Sequence, residues 1–280
     1  VKVLVTGHRG KVGAAVAARL AEAGHDVRGF DAADGQDVRD PAAVLAAAAG
    51  MDAGVHLAAI AHDSLADPAT IMAVNVLGTW HVLEAARVAG LARVVHFSSA
   101  QVLGIAEGER PPDALPIDDR HPRRAARPYG LSKRLGEDLC AAATERTGIA
   151  TVCLRPWAVW LEEDYRRVNA ARRARPESEW EPYWEYGAFV DAHDVAEAVL
   201  LALTRPDAGH VRALLCAPDI AASAPGRELA ARLLPGVPWR GDARWDADPR
   251  RALVDCAEAE RALGWRPVHR WAERPTSSPG

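Results

Sequence analysis

The sequence predicts an α/β fold: a doubly wound parallel sheet with helices on both faces, joined to a small C-terminal substrate lobe. Short β-rich runs alternate with long Ala/Leu/Arg stretches through residues 1–155, the order of repeated βα units. A glycine-rich turn follows the first run and opens the first Ala-rich stretch. The length, 280 residues with 49% apolar, suits one large domain with an appended lobe.

Residues 1–5 read as a strand, 12–23 as a helix and 26–30 as a second strand. A third-strand position precedes Asp37, and residues 41–49 form a helix. Residues 53–57 form a strand, 68–89 a long helix, 93–97 a strand, 127–147 a helix and 150–154 a strand. After Pro156 the rhythm breaks, and residues 157–186 are rich in Trp, Arg, Glu and Pro. Residues 194–204 read as a helix with Asp194 as N-cap. Residues 211–217 read as a strand returning to the sheet, so 187–217 rejoin the core. Residues 156–186 and 218–280 make the lobe, with a helix at 221–234, a loop at 235–250 and a short helix at 257–263 stopped by Gly264. The tail 276–280 is expected to be disordered.

A formal charge of −4 with no basic stripe argues against nucleic acid as a partner. No apolar run reaches the roughly 20 residues of a membrane span, and no leader pattern precedes residues 1–5, so a cytoplasmic protein is expected. Cys140, Cys153, Cys216 and Cys256 are far apart without a CxxC, as in reduced thiols. No metal ligand set is assigned. Lysine occurs only as Lys2, Lys11 and Lys133, so a lysine at a motif position carries weight.

Thr6-Gly7-His8-Arg9-Gly10-Lys11-Val12-Gly13 lies between the first strand and the first helix. Gly7 permits a sharp turn, Gly10 a close approach to a pyrophosphate, and Gly13 tight packing of the helix on the sheet. The helix N-terminus offers N–H donors and partial positive charge to phosphates. Asp31 ends the second strand, where a carboxylate accepts from both ribose hydroxyls and repels a 2′-phosphate. That favours NAD, while Arg9 and Arg28 are guanidiniums that keep NADP open. Asp37, with Val38 beside it, can accept from the adenine amino group, and Asp40 is as well read as a helix cap. Leu57, Ala58 and Ala59 close the next strand, and the small alanines leave room for a cofactor. His56, in an apolar strand, reads as structural.

Tyr129-Gly130-Leu131-Ser132-Lys133 opens a helix, and the i, i+4 spacing puts Tyr129 and Lys133 on one face. A phenol of pKa near 10 becomes a useful base when an ammonium and a nicotinamide cation lower it. Ser99 ends the strand of residues 93–97 in Phe97-Ser98-Ser99, where its hydroxyl can orient a substrate oxygen toward Tyr129. Hydride would pass between substrate carbon and nicotinamide while Tyr129 moves the proton.

With these motifs in place the chain resembles the extended short-chain dehydrogenase/reductases, the NAD-dependent epimerase/dehydratase family. The motifs are TGHRGKVG (6–13), DVRD (37–40), HLAA (56–59), NVLGT (75–79), FSSAQVLG (97–104), YGLSK (129–133), LRP (154–156), FVDAHDVAEA (189–198) and LGWRP (263–267). The resemblance implies a Rossmann-type fold, a catalytic triad of Ser99, Tyr129 and Lys133, and a cofactor held by the glycine loop, Asp31, Asp37 and Val38. It makes Asn75 a structural residue on the long helix near Lys133, counted with the cofactor set, and adds Pro156 to that set. It implies a homodimer through the helices at 68–89 and 127–147. Substrate-side candidates are Ala61, His62, Ser99, Ala100, Gln101, Tyr129, Trp157 and Ala158.

Departures from the family bear on substrate. Ala100-Gln101 replaces the Asp-Glu pair of the sugar-nucleotide dehydratases. Ala158 stands where the epimerases carry Asn, and the stretch from Pro156 to Phe189 is short for a nucleotide-sugar site. The short lobe looks like that of the uronate-dehydrogenase-like branch. The leading expectation is therefore an oxidoreductase acting on a small sugar, sugar acid or related metabolite. A sugar epimerase that retains its NAD is the alternative, and a non-catalytic NAD(H)-binding protein the third. Trp157, Trp160, Trp180, Tyr183, Trp184 and Tyr186 fit either a lobe core or a pocket wall. Arg166, Arg167, Arg172, Arg173 and Arg175 fit a solvated helix face or an anion contact. His62 and Asp63 fit either a substrate contact or an ordinary loop.

Overall fold

The computed structural model describes residues 1–106, 109–175, 185–205 and 209–272. Trp180, Tyr183, Trp184 and the tail 276–280 lie outside the described residues. The strands are β1 (Lys2–Thr6), β2 (Asp26–Phe30), β3 (Ala53–His56), β4 (Arg93–Phe97), β5 (Ala150–Pro156), β6 (Ala158–Trp160), β7 (Phe189–Asp191) and β8 (His210–Leu215). Six of them form one sheet in the order β2-β1-β3-β4-β5-β8, with every neighbouring pair parallel. β6 and β7 pair in a separate two-stranded sheet. β3 and β5 are buried along their whole length, as strands covered on both faces must be.

The helices of the core are α1 (Lys11–Glu22), α2 (Pro41–Ala48), α3 (Pro68–Met72), α4 (Gly78–Ala89) and α5 (Pro128–Thr147). They are followed by α6 (Glu162–Ala174) and α7 (Ala192–Thr204). Alternate residues of β1 serve opposite layers. Val3 and Val5 pack with Val16, Leu20 and Val199 of α1 and α7. Leu4 packs with Val44, Leu83 and Cys140 of α2, α4 and α5. The helix expected over residues 68–89 is one helical path, widened by a π turn at Ala73–Leu77 that carries Asn75 into the interior.

The structure departs from the sequence reading in several places. No strand lies between β2 and Asp37. After Phe30 the chain makes a 3-10 turn (Ala32–Asp34), capped by the Asp31 carboxylate and closed by Gly35 at φ 76°. β2 is therefore the sheet edge. The N-cap of α7 is Asp191, whose side chain accepts from His193 N–H. Asp194 lies inside the first turn and faces the C-terminal segment instead. The helix expected at 221–234 shortens to α8 (Gly226–Leu233), because Ile220 and Ala221 are drawn into backbone bonds with Arg250 and Gly187. The expected loop at 235–250 contains α9 (Ala243–Ala247), capped by Asp242. α10 (Ala257–Leu263) ends at Gly264 in the left-handed region, φ 71°, as the sequence indicates.

The lobe core draws on both sides of Pro156. Leu103, Ile105, Leu115 and Ile117 pack against Leu214, Ile220, Leu229 and Leu253. Backbone bonds join Leu115 N to Pro238 O (2.9 Å) and Ile117 N to Leu253 O (2.8 Å). Trp157 meets Tyr186 edge-on at 6.0 Å, and Trp160 stacks on Phe189 at 4.3 Å. All four are buried, so the described members of the aromatic set are packing residues.

Candidate active site

A cleft of about 850 Å³ opens at the carboxyl ends of β1, β2, β3 and β4, where ligands bind in doubly wound folds. Gly7, Gly10, Lys11, Val12 and Gly13 line one end. Gly7 sits at φ 74°, and a Cβ there would lie 2.6 Å from Ala58 N. A Cβ on Gly13 would lie 2.0 Å from Gly7 O. The third glycine thus packs against the turn made by the first, more tightly than against the sheet. A Cβ on Gly10 would make only ordinary contact, at 3.4 Å, so this position is free to admit a ligand. No side chain caps α1 and no acid lies in its first turn. Its terminal N–H groups remain to bind phosphate.

Asp31, Asp37, Val38, Leu57, Ala58, Ala59 and Ala61 continue the wall. The Asp31 carboxylate is oriented by N–H donors from Arg9 (2.9 Å) and Ala33 (2.9 Å). The Arg9 guanidinium pairs with Asp34 at 2.6 Å, and Arg28 donates to Ala47 O and Ala49 O at the end of α2. Both guanidiniums raised at the sequence level as 2′-phosphate ligands are engaged elsewhere, and the carboxylate that suits a free ribose is the one presented. Asp37 is forked by Arg39, which holds its carboxyl below the ordinary range. An uncapped helix, a glycine cradle and a poised ribose acceptor on one wall fit a nicotinamide dinucleotide.

Tyr129 and Lys133 line the other end. Both are buried, with the Lys133 ammonium 5.9 Å from the Tyr129 ring centre. Lys133 Nζ donates to Phe97 O at 2.7 Å, tying α5 to the end of β4. Burial pushes its pKa down to about 8, against the opposing pull of the Cys153 and Cys140 thiols. Ser99 is 8% exposed and accepts from Gln101 N–H at 3.1 Å, leaving its own O–H as a donor.

Several candidates stand apart from this wall. Asn75 is saturated, accepting from Ile60 N–H (2.8 Å) and donating to Ile60 O (3.0 Å) and Ser132 Oγ (2.9 Å). It positions α5 and the loop after β3 rather than facing the cleft. His62 caps a 3-10 turn (Asp63–Leu65). Trp157 lies in the lobe core. Ala100 is buried, Gln101 and Ala158 are half-buried, and Pro156 ends β5; none of the four lines the cleft, and neither does Ser99, which lies two residues beyond the lining Phe97. His56 bonds Thr6 and Thr79, and burial, then Lys133, pushes its pKa to about 3, a neutral structural ring.

Two features were missed by the sequence reading. The Asp63 carboxylate accepts from Tyr129 N–H at 2.6 Å and pairs with Arg127 at 3.0 Å, so it caps α5. Glu137, fully buried, takes two bonds of 2.7 Å from Arg155 and a third of 2.7 Å from Ser98 Oγ. Burial disfavours the Arg155 charge, yet Glu137 overrides it and raises the pKa. A signal for Glu137 existed: it falls on the buried face of α5, one turn beyond Lys133.

The family model described as NAD dependent epimerase/dehydratase matches residues 3–216. The 2-alkyl-3-oxoalkanoate reductase of Stenotrophomonas maltophilia is 35% identical over 193 residues, 62% of this chain and 56% of that protein. The chain thus spans little more than half of that relative. The uronate dehydrogenase of Pseudomonas syringae pv. tomato is 29% identical over 221 residues, 75% of this chain and 72% of that protein. A crystal structure of a short-chain dehydrogenase/reductase superfamily protein from Agrobacterium tumefaciens with bound NAD is 27% identical. It superposes with a TM-score of 0.72 over 97% of this chain and 94% of that one.

Proposed function

This chain belongs to the NAD-dependent epimerase/dehydratase family, and from that premise we propose that it is an NAD-dependent oxidoreductase. Its substrate is a hydroxyl or carbonyl carbon of a small sugar, sugar acid or related metabolite. The observation that carries the reading is the pairing of Tyr129 and Lys133, buried on one wall at the end of the cleft opposite the glycine cradle. Bound in that cleft, the dinucleotide supplies the hydride donor or acceptor. Gly7, Gly10, Gly13 and the N-terminus of α1 hold its phosphates, and Asp31 its adenosine ribose. Ser99 donates to the substrate oxygen, Tyr129 moves that oxygen's proton, and Lys133 keeps positive charge beside the phenol. The short run from Pro156 to Phe189 and the likeness to a uronate dehydrogenase support a small substrate.

The test is to purify the protein without added cofactor, denature it and quantify released dinucleotide. A panel of uronates, aldoses and their lactones is then assayed for NADH formation or consumption. An empty site with turnover of one of these classes supports the proposal. Near-stoichiometric resident NAD without net NADH formation replaces it with an epimerase. Full activity of Tyr129→Phe removes Tyr129 from the chemistry.

A homodimer is part of this proposal. Leu77, which ends the π turn, and Trp80 and Val88 of α4 are 46, 41 and 57% exposed at helical spacing. Arg146 of α5 lies 5.4 Å from the Trp80 ring centre, so α5 borders this apolar strip. A monomeric mass by light scattering at micromolar concentration would overturn it. The free thiols Cys140, Cys153, Cys216 and Cys256 fit a reducing, cytoplasmic compartment. Among the described residues no helix is long and apolar enough to cross a membrane.

A further inference from the structure

We propose that Asp191, His193 and His269 form a zinc-class divalent metal site that fastens the C-terminal segment to the start of α7, with Asp194 holding the segment beside it. Nothing in the oxidoreductase reading uses these residues.

The candidate ligand atoms of Asp191, His193 and His269 lie within 4.8 Å of one another. Asp191 Oδ1 is 2.9 Å from His193 Nδ1 and 3.9 Å from His269 Nδ1. His269 Nδ1 is 2.9 Å from Asp194 Oδ1. Tetrahedral zinc with bonds of about 2.0–2.1 Å sets its ligands about 3.3 Å apart, and the observed spacings bracket that value. The two imidazoles stand 5.7 Å apart between centroids at 31°, both turning Nδ1 toward the carboxylates.

The supporting shell matches what a metal site requires. Tyr165 OH, itself buried, donates to Asp191 Oδ2 at 2.9 Å, leaving Oδ1 toward the imidazoles. Val268 N–H and His269 N–H hold Asp194 Oδ2 at 3.1 and 3.0 Å, leaving its Oδ1 toward His269. Asp191 is thus anchored at both oxygens, with Oδ1 also facing the imidazoles, and Asp194 at one, the kind of outer support that orients metal ligands. On binding, the ion takes Nδ1 of each ring and the ring proton resides on Nε2. Two imidazoles with carboxylates favour zinc-like ions over calcium or magnesium. Asp191 also caps α7 through His193 N–H at 2.8 Å, so its charge shields a cation from the positive helix end. His193 is 72% exposed, which gives an ion an entry path.

The experiment titrates tag-free, chelator-stripped full-length protein with zinc chloride by calorimetry, and with cobalt(II) as an optical probe. One saturable zinc per chain is expected, with visible cobalt bands of a site containing nitrogen ligands. His193→Ala, at an exposed position, and His269→Gln should each weaken binding more than about tenfold, and Tyr165→Phe about tenfold. Zinc should raise the thermal midpoint of the parent protein and not that of the double histidine variant. Absence of saturable uptake by the parent overturns the proposal. So does uptake undiminished in the double variant. A midpoint lowered by His269→Gln but indifferent to zinc in the parent also overturns it, leaving a hydrogen-bonded clamp. NAD titration of the same samples separates this outcome from failure of the oxidoreductase reading.

Discussion

The two ends of the cleft are held in different ways. At the β1–α1 end the surface is backbone: three glycines, an uncapped helix and a carboxylate fixed by two main-chain N–H donors, one of them in the glycine loop itself. At the α5 end the helix and its buried side chains are fixed by partners far away in sequence. Asp63 holds the Tyr129 backbone N–H, Phe97 holds the Lys133 ammonium, and Ser98 and Arg155 converge on Glu137 of the same helix. A phosphate is recognised by geometry that a short peptide carries by itself. A proton-transferring group needs its pKa and direction set by surroundings that only the tertiary fold assembles.

Substitutions can break or sharpen this contrast. The largest effect is expected from Tyr129→Phe, a loss of about 10²–10⁴ in turnover. Dinucleotide affinity, measured by titration, should change little if the two ends are independent. Arg155→Met leaves the Glu137 carboxylate buried without its main partner. A cost of about 3–5 kcal/mol in denaturant unfolding is expected, with the loss partly relieved in a double variant carrying Glu137→Leu. Gly13→Ala sets a Cβ 2.0 Å from Gly7 O. It should cost about 1–3 kcal/mol of stability and weaken dinucleotide binding more than Arg155→Met does; equal damage from both would erase the contrast.

Asp119 offers a pH-resolved test of the same buried network. Burial raises its pKa to about 7, with Arg155 opposing, and its Oδ2 has no partner among the described residues. A carboxyl whose folded pKa exceeds its unfolded value of about 3.9 keeps a proton that the unfolded chain releases. Ionisation of this carboxyl in the unfolded chain therefore draws stability from the fold progressively as pH rises from about 4 to 7. Asp119→Asn should gain on the parent across that window, by about 1–3 kcal/mol at the top of it. The smallest effect belongs to Glu163→Gln, which removes the exposed pair between α6 and Lys11 of the glycine loop. Unfolding should change by less than about 1 kcal/mol.

The same contrast explains what could be read from the sequence. The alternation of strands and helices, Gly7/Gly10/Gly13, Asp31 and the Tyr129–Lys133 spacing are local patterns, and the structure brings these residues to one cleft. Asp63 could not be chosen over any other loop acid, because its partner lies on α5, far along the chain. Asp194 reads as the cap of α7 by residue type, but the docking of Val268 and His269 engages its carboxylate, and Asp191 takes the His193 N–H instead. The absent third strand follows from how few residues connect Asp31 to Asp37, a length constraint that the repeated pattern obscured. Asn75 was placed near Lys133 but among the cofactor ligands. The π turn, which sequence periodicity does not signal, sends its amide to Ile60 and Ser132.

The shared core of Leu103, Ile105, Leu115 and Ile117 with Ile220, Leu229 and Leu253 governs how this scaffold can be re-engineered. A graft that exchanges only the chain beyond Pro156 for that of a relative would set one half of an interdigitated interior against a foreign counterpart. Close packing punishes such a mismatch. The transferable module is discontinuous: the segment around 100–122 must travel with the later one. Selection for new substrates in this architecture therefore acts on two stretches of gene at once, and compensating changes should appear between them.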